Sequence, residues 1–152
     1  MMLKNKVAIV TGGTRGIGFA VVKKFIENGA AVSLWGSRQE TVDQALEQLK
    51  ELYPDAKISG KYPSLKDTAQ VTAMINQVKE EFGAVDILVN NAGISQSTSF
   101  YNYQPEEFQK IVDLNVTAVF NCSQAAAKIM KEQGGGVILN TSSMGSIYGQ
   151  PS

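Results

Sequence analysis

The chain has 152 residues, 43% of them hydrophobic, and its 14 lysines and arginines balance its 14 aspartates and glutamates. That length suits one domain and that apolar fraction suffices for a core, while zero formal charge leaves no basic field to hold nucleic acid. The absence of histidine, with Cys122 the single cysteine, argues against a zinc site or a Ser-His-Asp triad and excludes an internal disulfide.

A lone thiol fits a reducing, cytoplasmic compartment. No apolar run reaches membrane-spanning length, and the start, Met1-Met2-Leu3-Lys4-Asn5-Lys6, lacks the apolar core of a signal peptide. Asn121-Cys122-Ser123 matches a glycosylation sequon but falls in a helical pattern, and is read as chance.

Strand-like and helix-like runs alternate along the chain. Residues 6–11 read as a first strand. A helix from about 17 to 28 follows, with Ile17, Ala20, Val21 and Phe25 as its apolar stripe and Asn28-Gly29 as its stop signal. The second strand is 31–35. Val42, Ala45, Leu46 and Leu49 place a helix over 40–53, closed by Pro54. The third strand, 56–60, is short and polar. Val71, Met74, Ile75 and Val78 face inward from a helix over 68–82. The fourth strand, 85–90, is nearly all apolar, as in a sheet buried on both faces. Pro105-Glu106-Glu107 opens a long helical pattern that runs to about 133, with a break near Asn115. Gly134-Gly135-Gly136 ends it, and 137–141 is the fifth strand. Strands separated by helices of this length imply parallel right-handed βαβ units, hence an α/β doubly wound sheet.

The turn after the first strand is Thr11-Gly12-Gly13-Thr14-Arg15-Gly16-Ile17-Gly18. Strand, glycine-rich turn and helix form a phosphate-binding layout. Free N–H groups at the helix start point outward with partial positive charge, and glycines let the backbone approach a pyrophosphate. The general G-x-G-x-x-G spacing fails, because Val21 stands where its third glycine belongs. The spacing present is T-G-x-x-x-G-x-G, which taken alone also fits a tight turn without a ligand.

Ligands of such sheets sit at the carboxyl ends of the strands. Small or hydrogen-bonding residues occur at four of these ends: the glycine turn, Gly36-Ser37-Arg38, Asn90-Asn91-Ala92-Gly93, and Ser142-Ser143. Four such ends in register favour a ligand.

These motifs, with Asn115 in Asp113-Leu114-Asn115-Val116 and the run Asn140-Thr141-Ser142-Ser143, resemble the N-terminal part of the short-chain dehydrogenase/reductase family. The nearest groups within it are the 3-oxoacyl-carrier-protein reductases and the bacterial hydroxysteroid dehydrogenases. The resemblance implies a Rossmann-like NAD(P)-binding domain over 1–152, truncated after the fifth strand. It implies hydride transfer between a nicotinamide and a ketone or secondary alcohol, and subunits that assemble as homo-oligomers. Gly12, Thr14, Arg15, Gly16, Ile17 and Gly18 would form the phosphate turn, and Asn91, Ala92 and Gly93 would pass beside the adenosine ribose. Asn115 would hold a water in a proton relay, and Ser143 would bond the substrate oxygen. Without a ligand, Asn90 and Asn91 would tie strands, Asn115 would kink a helix, and Ser143 would be a turn serine.

An acid at the end of the second strand would bond the ribose 2′-hydroxyl of NAD. Here Ser37 and Arg38 stand instead, with no acid before Glu40. A hydroxyl and a guanidinium suit a 2′-phosphate, which favours NADP over NAD. After the third strand Ser64-Leu65 replaces the acid the family often sets near the adenine.

The resemblance also calls for Tyr-x-x-x-Lys on a helix after the fifth strand. None follows Ser143. Tyr148 has Ser152 four residues on and reads as a loop residue near the substrate mouth. The expectation is an N-terminal piece with little or no turnover, its last strand an open edge, marginally stable alone or covered by a partner. The alternatives are a non-catalytic nucleotide-binding or assembly module and an epimerase-like extended reductase. The second of these more often carries the general glycine spacing. The substrate pocket would draw on residues 95–103 and 144–150.

Overall fold

The computed structural model describes residues 1–95 and 97–148. Gln96, the last residues of the 144–150 stretch, and Ser152 four beyond Tyr148 lie outside the described residues.

Among the described residues, five parallel strands form one sheet in the order β3-β2-β1-β4-β5. They are β1 (Val7–Thr11), β2 (Ala31–Trp35), β3 (Ile58–Lys61), β4 (Ile87–Asn90) and β5 (Val137–Asn140). Between them run α1 (Gly16–Glu27), α2 (Gln39–Leu52), α3 (Thr68–Phe82), α4 (Pro105–Val112) and α5 (Ala118–Glu132). Alternate side chains of a strand face opposite sides of its sheet. Ala8 and Val10 accordingly join Val22, Ile26, Val42 and Leu49 of α1 and α2. Val7 and Ile9 join Val71, Ile75, Ala126 and Ile129 of α3 and α5. Each fully buried Val, Leu or Ile contributes about 1.5–3 kcal/mol.

The sequence places the α1 stripe one residue early. Gly18, Val22 and Ile26 are the buried positions, and Ile17 is 70% exposed. The tight turn sets the helix phase, and Ile17 is spent on the turn rather than the core. β4 starts at Ile87 because the backbone of Val85 is engaged elsewhere: its N–H donates to Gln133 Oε1 and its carbonyl accepts from Gln133 Nε2. β3 lies two residues later at its start than its sparse pattern implies.

The long helical pattern breaks where expected. A π-helical turn, Asp113–Thr117, separates α4 from α5 and contains Asn115. Such turns often mark functional sites. At the sheet edge, Val137 and Leu139 of β5 remain 52% and 47% exposed, while Ile138 packs into the α3–α5 side. Phe108, Val116 and Phe120 of the α4–α5 segment are also exposed. The sequon is structural: Asn121 is buried and bonds Thr68 and the Leu65 carbonyl. Among the described residues no helix is long and apolar enough to cross a membrane, and no group of three metal-ligating side chains occurs.

Candidate functional site

The strand order reverses between β1 and β4. The connections leaving those two strands therefore diverge and leave a crevice at their carboxyl ends, the usual ligand position in open α/β sheets. A cleft of about 910 Å³ opens there.

Thr11 and Asn91 bind together the two loops that border it. Thr11 is buried, and its hydroxyl donates to the Val89 carbonyl (3.3 Å) and accepts from the N–H groups of Asn91 and Ala92 (both 3.0 Å). The Asn91 amide answers from the other side, donating to the carbonyls of Thr11 (3.1 Å) and Gly12 (3.3 Å). Two loops 80 residues apart are thus fixed to one another. The glycines serve this closeness. A Cβ on Gly18 would run into the Gly12 carbonyl oxygen and the Asn91 amide, and one on Gly12 would press on Ala92 and Asn91. Gly12 and Gly16 also have φ of +66° and +57°, which side-chain-bearing residues seldom adopt.

The N-terminus of α1 faces this cleft with no acidic residue in its first turn, and Arg15 precedes it as an exposed, extended residue. Arg15 is the only ionised side chain among the described residues lining the cleft, and it forms no ion pair among the described residues. A helix start, open glycine backbone and a free guanidinium attract an anion.

Gly12, Thr14, Arg15, Gly16, Ile17, Gly18, Ser37, Leu65, Asn91, Ala92 and Gly93 all line the cleft. Arg38 does not. It is the exposed residue before α2, and its carbonyl accepts from the Thr41 hydroxyl. Asn115 lies just behind the wall, with its Oδ1 accepting from the Ile94 N–H (2.9 Å) and its Nδ2 donating to the Ile94 carbonyl (2.8 Å). This reciprocal pair ties the π-turn to the loop after β4. Ser143 stands beyond β5, and its Oγ accepts from the Gly145 N–H.

Of the lining residues, sequence reasoning missed Trp35, Tyr62, Pro63, Gln70 and Ile94, and it read Thr11 only as the first residue of the glycine-turn motif. A hydroxyl ending an otherwise apolar strand could have marked its role. The loop after β3 carries no motif. Tyr-x-x-x-Lys spacing does occur ahead of β5, at Tyr53/Lys57 and Tyr62/Lys66. Tyr53 ends α2 and donates to Glu27 Oε1, which raises the pKa of its phenol, and Tyr62 follows β3. Neither pair stands on a helix after β5.

The family model described as short chain dehydrogenase matches residues 6–152. A 3alpha-hydroxysteroid dehydrogenase of Mediterraneibacter gnavus is 99% identical over 152 residues, all of this chain and 61% of that protein. The 3-oxoacyl-[acyl-carrier-protein] reductase FabG of Chlamydia muridarum is 35% identical over 150 residues, 99% of this chain and 60% of that protein. Among solved structures, levodione reductase superposes with a TM-score of 0.91 at 34% identity, covering 97% of this chain and 58% of that one. NAD⁺-bound xylitol dehydrogenase superposes with a TM-score of 0.93 at 28% identity, covering 99% of this chain and 58% of that one. The chain thus spans about three-fifths of the length of the curated relatives it matches.

Proposed function

Because the chain belongs to the short chain dehydrogenase family, we propose that its 152 residues are the dinucleotide-binding portion of a nicotinamide-dependent oxidoreductase. The reaction interconverts a secondary alcohol and a ketone, and the substrate is of the 3α-hydroxysteroid kind named for its 99% identical relative. One observation carries this reading: a cleft at the sheet's reversal point lined, among the described residues, by glycine backbone, a helix start and a single guanidinium without an ion pair, and by no carboxylate.

Gly12 to Gly18 hold the pyrophosphate through backbone N–H groups, with Arg15 opposite its charge. Asn91 to Gly93 pass along the adenosine ribose. When bound, the nicotinamide supplies hydride acceptance or donation. Asn115 keeps the loop at Gly93 and Ile94 in place and holds a water of the proton relay, and Ser143 bonds the substrate oxygen.

The cofactor is NADP. Ser37 lines the cleft, Arg38 follows it without an ion pair, and no lining acid offers itself to a ribose diol, all among the described residues. These residues alone bind the cofactor without sustained turnover, since no Tyr-x-x-x-Lys follows β5 within them. The exposed Phe108, Val116 and Phe120 belong to a contact between subunits of a homo-oligomer.

The test is calorimetric titration of the 152-residue chain with NADPH and NADH, followed by turnover assays with a 3-oxosteroid. NADPH is expected to bind more tightly, without turnover. Tighter NADH binding that Arg38→Ala leaves unchanged overturns the choice of NADP. No binding of either overturns the function.

A further inference from the structure

The sheet has a second opening at its other rim, where the strands begin. A cavity of about 750 Å³ lies there, bordered by Val7 and Ala31, the first residues of β1 and β2, and by Lys57, one residue before β3. It shares no lining residue with the cleft among the described residues. The apolar part of its lining is Val7, Ile26 and Ala30, all buried, with half-buried Phe82. Three helices end at this rim. Gly29 follows the end of α1, Tyr53 caps α2 and Phe82 closes α3, and all three line the cavity. The last carbonyls of these helices bring partial negative charge to it.

Four ionised side chains line this cavity among the described residues, and they are not equivalent. Lys6 is held by Asp86 at 3.1 Å and Glu81 by Lys61 at 3.3 Å. Asp55 and Lys57 stand two residues apart, yet neither forms an ion pair among the described residues. Their loop is fixed on both sides. The Tyr53 N–H donates to the Leu49 carbonyl (2.8 Å), the Ala56 N–H to the Tyr53 carbonyl (3.0 Å), and the Val32 N–H to the Lys57 carbonyl (2.9 Å). The Tyr53 hydroxyl donates to Glu27 Oε1 (2.9 Å), and half-buried Ala56 packs against the core between the two charges. A held loop thus presents one carboxylate and one ammonium beside an apolar lining.

We propose that this cavity is a second binding site and that it takes a zwitterion with an apolar tail, a free α-amino acid with a large apolar side chain. The ligand's ammonium goes to the Asp55 carboxylate, where the helix ends add to the attraction. Its carboxylate goes to Lys57, and its side chain covers Val7, Ile26 and Phe82. An apolar ion of a single charge satisfies one of the two groups, and a neutral apolar molecule satisfies neither. A largely apolar lining with a few placed polar groups is the make-up of small-molecule sites. Order in the loop before binding removes an entropic cost of recognition.

The test titrates the chain with L-phenylalanine, with 3-phenylpropionate, which lacks the ammonium, and with 2-phenylethylamine, which lacks the carboxylate, read by amide NMR shifts. L-phenylalanine should bind saturably with a Kd near or below about 1 mM, and each single-charge analogue should bind at least about tenfold more weakly. Asp55→Asn should weaken L-phenylalanine about fivefold or more and leave 3-phenylpropionate unchanged. Lys57→Gln should weaken L-phenylalanine by about as much and leave 2-phenylethylamine unchanged. Both residues are exposed, so the ligand-free melts should match that of the unmodified chain. The analogue series on the unmodified chain decides the matter even where a variant melts early. Saturating NADPH should leave the amino acid bound. Overturning results are no saturation up to about 10 mM, a decade above that Kd, an analogue that binds as tightly as L-phenylalanine, L-phenylalanine affinities of both variants within about twofold of the unmodified chain, or displacement by NADPH, which would put the amino acid in the cleft. Failure of NADPH to bind bears on the dinucleotide reading alone.

Discussion

Asn90 and Asn140 stand opposite each other in the β4–β5 register, and Asn90 Nδ2 donates to Asn140 Oδ1 at 2.9 Å. The second amide hydrogen of Asn90 goes to Ser123 Oγ at 3.0 Å. Asn90 is buried, so each of its polar atoms must find a partner or carry a desolvation cost. The edge strand is fastened to the sheet by this side-chain pair beyond its ladder. Asn140→Leu is expected to cost about 1–3 kcal/mol, because it strands one buried donor. Urea unfolding of the two single variants and of Asn90→Leu/Asn140→Leu together gives the coupling. A double variant no worse than Asn140→Leu alone supports the pair, and strictly additive losses count against it.

The architecture was legible in the sequence because period-2 and period-3.6 patterns are properties of neighbouring residues. Val71, Ile75 and Val78 announce a helix face whatever surrounds them. The break at Asn115 was legible too, since polar Asp113, Asn115 and Thr117 interrupt the helical pattern. Other features depend on what lies across the fold. The α1 stripe slipped by one residue because Gly18 looks like a turn residue and is in fact packed under the Gly12 carbonyl. The motif-bearing part of the cleft could be read from its glycines and asparagines. Tyr62, Gln70 and Trp35 could not, because their place in the cleft follows from the register of β2 and β3 and from side-chain bonds spanning the loop. Arg38, placed in the cleft by position in sequence, turns out to sit just outside its lining.

Gly18 tests the closeness of the two loops. An added methyl group collides with backbone of the preceding turn and with the amide of Asn91, neither of which can swing away without breaking the bonds to Thr11 and Gly12. Gly18→Ala should therefore destabilise the fold by about 1–3 kcal/mol and weaken NADPH binding at least tenfold. Gly83→Ala is the control. It has no neighbour within 4 Å but a φ of +89°, so it should cost about 1 kcal/mol in backbone strain and leave binding unchanged. Equal effects of the two on binding would show that general destabilisation, not the loop approach, governs the site.

Arg15 separates charge from shape. Its guanidinium is exposed and forms no ion pair among the described residues, so the fold owes it little. Arg15→Ala should leave the melting temperature within a degree or so, as for most exposed sites. It should weaken NADPH by about tenfold, the worth of one charge-assisted bond. The wild-type affinity should fall as salt is raised, and that dependence should be reduced in the variant. A variant with unaltered affinity at low salt would remove Arg15 from the anion site.

Asp67 gives the chain an acid-side dependence. Its carboxylate accepts the N–H groups of Gln70 and Ala69, and these bonds hold its pKa below the ordinary value. For a carboxylate with a depressed folded pKa, the contribution to stability is complete above its unfolded pKa, near 4. It is lost as pH falls through the lower folded value. Melting curves between about pH 6 and pH 2 should show Asp67→Ala less stable than the parent at the upper end, with the two converging at the lower. A constant gap across the whole range would mean that the cap acts through shape and not through charge.

Cys122 reports on the packing of α5. Its side chain is buried among residues of α3, α5 and the central strands, and burial pushes its thiol up to about 12. At pH 8 the thiolate fraction of such a group is on the order of one in ten thousand, against roughly a quarter for an ordinary cysteine thiol. Alkylation of the folded chain must then proceed through opening of the α3–α5 packing, and its rate reads the free energy of that opening. The exposed stripe of Phe108, Val116 and Phe120 lies on the same α4–α5 segment, so a contact on that stripe should close it further. Iodoacetamide labelling at pH 8 should be at least a hundredfold slower in buffer than in 8 M urea. It should slow again as protein concentration rises if the stripe is a subunit contact. Labelling at the same rate in buffer and in urea would show that α5 is not docked in the isolated chain, and a rate independent of concentration would remove self-association through this stripe.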